Sequence, residues 1–106
     1  MITQKEIEKM LNETGIEYRY HHFETEEAVA PPFICYVLPR TRAFSADGKP
    51  YYKINRLDIE LYTDTKDMHL ERKIEDILEK YGMFYEKSET YIESEDMYEV
   101  LYEMEV

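Results

Sequence analysis

The chain has 106 residues, 43% of them apolar, with 24 acidic against 13 basic side chains and a net charge of −11. That length makes one domain, residues 1–106, large enough to bury a core. The acidic excess argues against a surface that grips nucleic-acid phosphates or anionic lipid, because both need clustered cations. No apolar run approaches the roughly 20 residues that span a bilayer. The opening "MITQKEIEKM" has neither the apolar stretch of a signal peptide nor the Arg-rich character of a transit peptide. A lone cysteine, Cys35, leaves no internal disulfide framework and fits a reducing cytoplasm.

The first element is expected to be a helix. Thr3 and Glu6 have the spacing of a capping box, and Ile2 and Ile7 that of a hydrophobic staple. Ile7, Met10 and Leu11 form its apolar stripe, and Gly15 suits the left-handed stop. Ile16, Tyr18 and Tyr20 then alternate as in a strand, which puts the neighbouring rings of His21 and His22 on opposite faces. Residues 24–32, "ETEEAVAPP", read as a loop that ends in two prolines. "FICYVLP", 33–39, is continuously apolar, as a strand covered on both faces would be.

After "RTRAFSADGK", with a tight turn at Asp47-Gly48, comes "YYKINRLDIELY". Its apolar alternation changes phase between Ile54 and Leu57, which predicts a β-bulge near Arg56. Asp64 or Thr65 is the expected cap of a second helix, whose stripe is Leu70, Ile74, Ile77, Leu78 and Tyr81 and whose stop is Gly82. "MFYEK" and the terminal "MYEVLYEMEV" give two further strands, joined by the polar "SETYIESED". The order α-β-β-β-α-β-β predicts an α+β fold: an antiparallel-rich mixed sheet of about five strands with two helices.

Little in the sequence points to catalysis. No phosphate-binding glycine loop is present, and the histidines and cysteine lack the spacing of metal ligands. Cys35 lies inside an apolar strand, where burial makes a thiol inert. No catalytic residue, cofactor or metal is therefore expected. Two other patterns stand out. One is tyrosine, eleven in all and concentrated on the strands, including Tyr51, Tyr52, Tyr62, Tyr98 and Tyr102; interfaces and half-buried strands both favour it. The other is charge asymmetry. Arg40, Arg42, Lys49, Lys53 and Arg56 face only Asp47 in a local +4 segment, whereas residues 86–106 hold eight acids and one lysine. Glu99, Glu103 and Glu105 share one face of the last strand, opposite the apolar row from Tyr98 to Val106. Opposite patches on one molecule can join neighbouring copies head to tail, closing a ring or extending a filament. Both can equally be solvated faces of a monomer.

The segment "FSADGKPYYKINRLDIELYTDTKD", the amphipathic helix after it and the ending "MYEVLYEMEV" resemble small tail-completion proteins of long-tailed phages and Gram-positive prophages. More distantly they are similar to the tail terminator family of the lambda-like minor tail protein U. The resemblance implies a structural protein that forms a ring, a hexamer on the tail, at the head-proximal end of the virion tail. That ring would stop polymerisation of the tail tube protein and dock to the head–tail connector protein, after assembly in the host cytoplasm. Genomic DNA would pass through without specific binding, past an acidic lumen that repels its phosphates. No membrane partner is implied, and the family contributes no residue set. From the charge pattern, the subunit-interface candidates are Arg40, Arg42, Lys49, Lys53 and Arg56 against Glu99, Glu103 and Glu105. Two rival expectations are an acidic monomeric inhibitor or DNA mimic, and a small enzyme with desolvated carboxylates that the sequence does not mark.

Overall fold

The computed structural model describes residues 2–106, apart from the side chains of Ala46, Pro50 and Tyr51. Its elements run α1 (Gln4–Asn12), β1 (Tyr18–Tyr20), β2 (Phe33–Val37), β3 (Thr41–Ala46), β4 (Lys49–Thr63), α2 (Met68–Lys80), β5 (Tyr85–Ile92) and β6 (Met97–Glu105). Short 3-10 turns sit at Thr25–Glu27 and Glu93–Glu95. The fold is α+β, with six strands where the sequence suggests about five. The extra one is β3, which the residue pattern does not separate from its turn.

The strands lie in the order β1-β2-β4-β6-β5, with β3 attached to β4; β1 and β2 are parallel and every other pairing is antiparallel. One face of the sheet is covered. Ile7, Met10 and Leu11 of α1 and Ile74 and Leu78 of α2 join Ile34, Tyr36, Leu57, Ile59, Leu61, Val100, Tyr102 and Met104 in a single core. Each such side chain contributes roughly 1.5–3 kcal/mol when fully buried. The alternation of β6 is thereby explained: Val100, Tyr102 and Met104 point into the core and the glutamates between them do not.

The helix ends follow local chemistry. Thr3 and Glu6 form the capping box, satisfying otherwise orphaned N–H groups of α1. Gly15 takes φ 72° in the turn beyond that helix, a value costly for other residues. In α2 the cap is Asp67, which accepts from the Leu70 N–H, and not Asp64 or Thr65. β5 also runs further than expected: "SETYI" continues the strand, because an edge strand with one solvated face can be almost wholly polar.

β4 is the longest strand and serves two structures. Residues 56–63 pair with β6 on one side, while 58–62 pair with β2 on the other. Residues 49–54 pair with β3 alone, closing a hairpin arm through the Asp47-Gly48 turn, where φ is 54° and 74°, while Asn55 also exchanges both backbone hydrogen bonds with Val106. Positive φ at both turn residues matches the twist of a two-residue hairpin. The described side chains of residues 41–49 are all exposed.

No bulge lies in β4 at Arg56, since its register against β6 is unbroken there. The offset is in the partner. Val37 pairs with Asp58 and the Arg40 carbonyl accepts from the Arg56 N–H, leaving Leu38 and Pro39 opposite Leu57 alone. Pro39 has no N–H to leave unpaired at that kink. A second irregularity falls within the arm, between Phe44 and Ser45.

Candidate functional site

The sheet face away from the helices is the largest feature left without a covering layer. Alternation brings Cys35, Arg56, Asp58, Glu60, Tyr62, Glu99, Leu101 and Glu103 to it. Only one end is roofed, by residues 21–32. There Phe23 packs edge-on to Phe33, which stacks on Tyr62 at 5.0 Å. Cys35 lies beneath, 5% exposed, and burial together with nearby Glu60 pushes its thiol up to about 11. Such a thiol is a poor nucleophile. A cavity of about 280 Å³ beside it is lined by His21, His22, Phe33 and Tyr62 among others.

The histidines correct an expectation. They do not point to opposite faces, because His21 leaves the strand with φ 68°. The two Nδ1 atoms lie 2.9 Å apart and His22 Nε2 is 3.1 Å from Glu24. One of the two Nδ1 atoms must carry the hydrogen for that contact, and which one depends on the tautomer. Among the described residues, no group of three or more His, Cys, Asp or Glu is placed to hold a metal ion.

At the open end of the face, charges pair within the chain. Arg56 bonds Asp58 at 2.8 Å and also Glu103. Arg42 reaches both oxygens of Glu105, at 2.8 and 2.9 Å, and lies over the Phe44 ring. Four of the interface candidates, Arg42, Arg56, Glu103 and Glu105, thus hold the arm to its own sheet. Arg40 lines a groove of about 570 Å³ with Arg56, Phe84, Met104 and Glu105. Phe84 on its rim is 92% exposed. Arg40, Lys49 and Lys53 form no ion pair with any described residue.

The remaining candidate, Glu99, belongs to an acid pair. The Tyr62 hydroxyl lies 2.9 Å from Glu60 and 2.8 Å from Glu99. One phenolic proton cannot serve two carboxylates, so both contacts form fully only when one carboxyl is protonated. Burial, and then the neighbouring charges of Glu99 and Asp58, raise the Glu60 carboxyl above its ordinary 4.5 despite the Tyr62 hydrogen bond. Among the described residues no cation pairs with Glu60 or Glu99, and none pairs with exposed Glu86, at the Glu103 position one strand over.

Sequence reasoning missed this pair, although the alternation Glu60–Tyr62 in "LDIELYT" places them together. It also missed the exposed stack of Phe44 and Tyr52, 5.0 Å apart and 15° from parallel on the arm. The side chain of Tyr51 lies outside the described residues. What the face offers is a contact surface: acids at its centre, a cationic arm at its end and, among the described residues, no enclosed pocket built around a reactive group. No family model matches this chain, and no curated protein matches it.

Proposed function

We propose that the protein is a structural component of a phage or prophage head–tail joint, a tail terminator whose copies form a ring on the tail tube. The observation that carries this reading is the β3–β4 arm, whose residues 49–54 pair with β3 alone and whose Lys49 and Lys53, unlike Arg42, find no acid among the described residues of their own chain. An exposed arm of this kind buries little and so contributes little to the stability of its own domain. It is suited to reaching a neighbour. In the proposed setting the ring caps the head-proximal end of the tube, ends polymerisation and presents a surface to the head connector. The acidic balance of the chain lets DNA pass without adhering. Assembly takes place in the host cytoplasm, before the protein is built into the virion.

A DNA-mimicking inhibitor fits less well. Arg56 sits between Asp58 and Glu103 and interrupts the row of negative charge that would imitate phosphates. The test is polymerisation of the cognate tail tube protein with and without this protein, viewed by negative stain. Tubes that stop growing and carry added density at one end are expected. Tubes that elongate without limit and bear no cap would overturn the reading.

A further inference from the structure

β5 ends the strand order, and among the described residues nothing pairs with its outer side. A bare strand edge is a template for another strand unless it is short, broken or covered. β1, at the opposite end of the sheet, has three residues, and β3 shifts register between Phe44 and Ser45. β5 is neither short nor broken. It runs eight residues without proline or glycine, keeps an unbroken register to β6, and is exposed from Glu86 to Tyr91. We propose that β5 of a second copy of this chain pairs with it antiparallel, about a twofold axis at Ser88, joining the two sheets into one. The contact is separate from the arm and does not rest on the tail reading.

The reciprocal backbone bonds between Asn55 and Val106 fix which groups the edge offers. From that pair, alternation across the unbroken registers turns the N–H and C=O of Tyr85, Lys87, Glu89 and Tyr91 outward, away from β6. Antiparallel pairing sets outward residues against outward residues, so the register of two copies slides only in steps of two. With Ser88 on the axis, Tyr85 meets Tyr91, Lys87 meets Glu89 and Glu86 meets Thr90. An aromatic pair and an opposite-charge pair are then each made twice. One step either way sets Lys87 against Lys87 or Glu89 against Glu89. Only with Ser88 on the axis do all four outward residues of β5 find a partner.

The outward residues carry their side chains on the helix-covered side, where Lys87 stands opposite Tyr102 and Glu89 opposite Val100. Lys87 is held there by Glu71 and Glu75, and Glu89 by Lys66. Two copies of this network meet at the axis, and Glu89 of each adds to the acids around Lys87 of the other. An axis perpendicular to the sheet keeps the helices of both copies on one side. Just before β5, Phe84 is 92% exposed; in this register it comes opposite Ile92 of the other copy and gains an apolar neighbour. The contact is isologous, so it closes at two copies and cannot itself propagate a ring or a filament.

Sedimentation of the full chain from about 10 μM to about 1 mM should show a monomer–dimer equilibrium. Amide exchange at Lys87 and Glu89 should slow as concentration rises, while that at Ser88, already bonded to β6, should not change. Glu89→Pro removes an outward N–H and no bond to β6. Its circular dichroism should match the wild type and its dimer should be at least about tenfold weaker. Ser88→Cys sets two thiols across a non-hydrogen-bonded pair, with about 4.5 Å between Cα atoms, within disulfide range. Under mild oxidation it should crosslink at least about tenfold faster than Thr90→Cys, which meets Glu86 and not itself. Buried Cys35 takes no part. A chain that stays monomeric at about 1 mM, a folded Glu89→Pro that dimerises like the wild type, or thiols at 88 and 90 that crosslink alike would each overturn the contact. Should Glu89→Pro not fold, the cysteine comparison decides.

Discussion

The two faces of one sheet carry ion-pair networks of similar composition and different consequence. On the covered face, Glu71 of α2 is 3% exposed and receives Lys66 at 2.6 Å and Lys87 at 2.8 Å. Lys87 continues to Glu75, which accepts from the Tyr102 hydroxyl at 2.8 Å, and Lys66 also bonds Glu89. On the open face, Arg56, Asp58 and Glu103 are half-buried and Arg42 and Glu105 are exposed, and none of them is as deeply enclosed as Glu71. Burial decides what each network does. Glu71 stripped of its cations cannot turn to solvent, whereas Lys66 and Lys87 are partly solvated and keep Glu89 and Glu75, so it is this one buried carboxylate that ties α2 to β5. The open network is screened and adjustable, which suits a surface that exchanges partners.

The sharpest way to break this contrast is Glu71→Ala. It removes the carboxylate on which Lys66 and Lys87 converge, and about 2 kcal/mol of stability should be lost by urea denaturation, less than for a fully buried pair because both lysines are partly solvated and keep Glu89 and Glu75. A loss under about 1 kcal/mol, the range of exposed pairs, would mean that the covered network is no stronger than the open one. Arg56→Met should cost about 1.5 kcal/mol, because Asp58 and Glu103 remain as half-buried neighbours, and added salt should recover part of it. Tyr102→Phe removes one buried hydroxyl donor and should cost about 1 kcal/mol at unchanged cooperativity.

Acidity separates the faces by sign. Burial alone would raise the Glu71 carboxyl, but hydrogen bonds from Lys66 and Lys87 outweigh it and hold it below 4.5. Its contribution is present above the unfolded value and disappears as pH falls through the lower, folded one. Glu60 is raised, so the folded protein takes up its proton first and gains stability as pH falls towards 4.5 from above. Glu60→Gln should flatten the stability profile above pH 4.5 and leave the acid limb below it in place. Midpoints measured from about pH 7 to about pH 3 would show this, and an unchanged slope above the ordinary carboxylate value would refute it. The smallest effect belongs to Arg42→Gln, within about 0.5 kcal/mol, as for other exposed pairs. Its consequence should appear as altered arm orientation, visible in the amide shifts of residues 41–55.

Where burial follows a period, the sequence was readable: the Thr3–Glu6 box, the stripes of both helices and the alternation of β6 all follow from spacing. β3 was not, because residues 41–45, "TRAFS", are exposed on both faces and have no apolar face to repeat. The phase change in β4 was visible, but it marks no bulge: Tyr52 and Ile54 lie on the open-face side of the arm with Arg56, while Leu57, Ile59 and Leu61 enter the core. Asp64, Thr65 and Asp67 share capping chemistry, and only the position of the Leu70 N–H chooses among them. The charge asymmetry was plain in the sequence, yet Arg42 and Glu105 are 63 residues apart and their pairing is a property of the fold. Glu71 gave no warning of burial, since a glutamate on a helix is ordinarily solvated.

β4 runs from the tip of the arm to the middle of the sheet, fifteen residues that extend about 50 Å, in a molecule whose longest dimension is 51 Å. Tension applied along the arm therefore loads the β4–β6 and β4–β2 ladders in shear. Their hydrogen bonds resist together and do not unzip one by one. The arm is in this sense a tie rod, anchored in the best-buried part of the protein and able to carry a pull that a loop of equal reach would yield to.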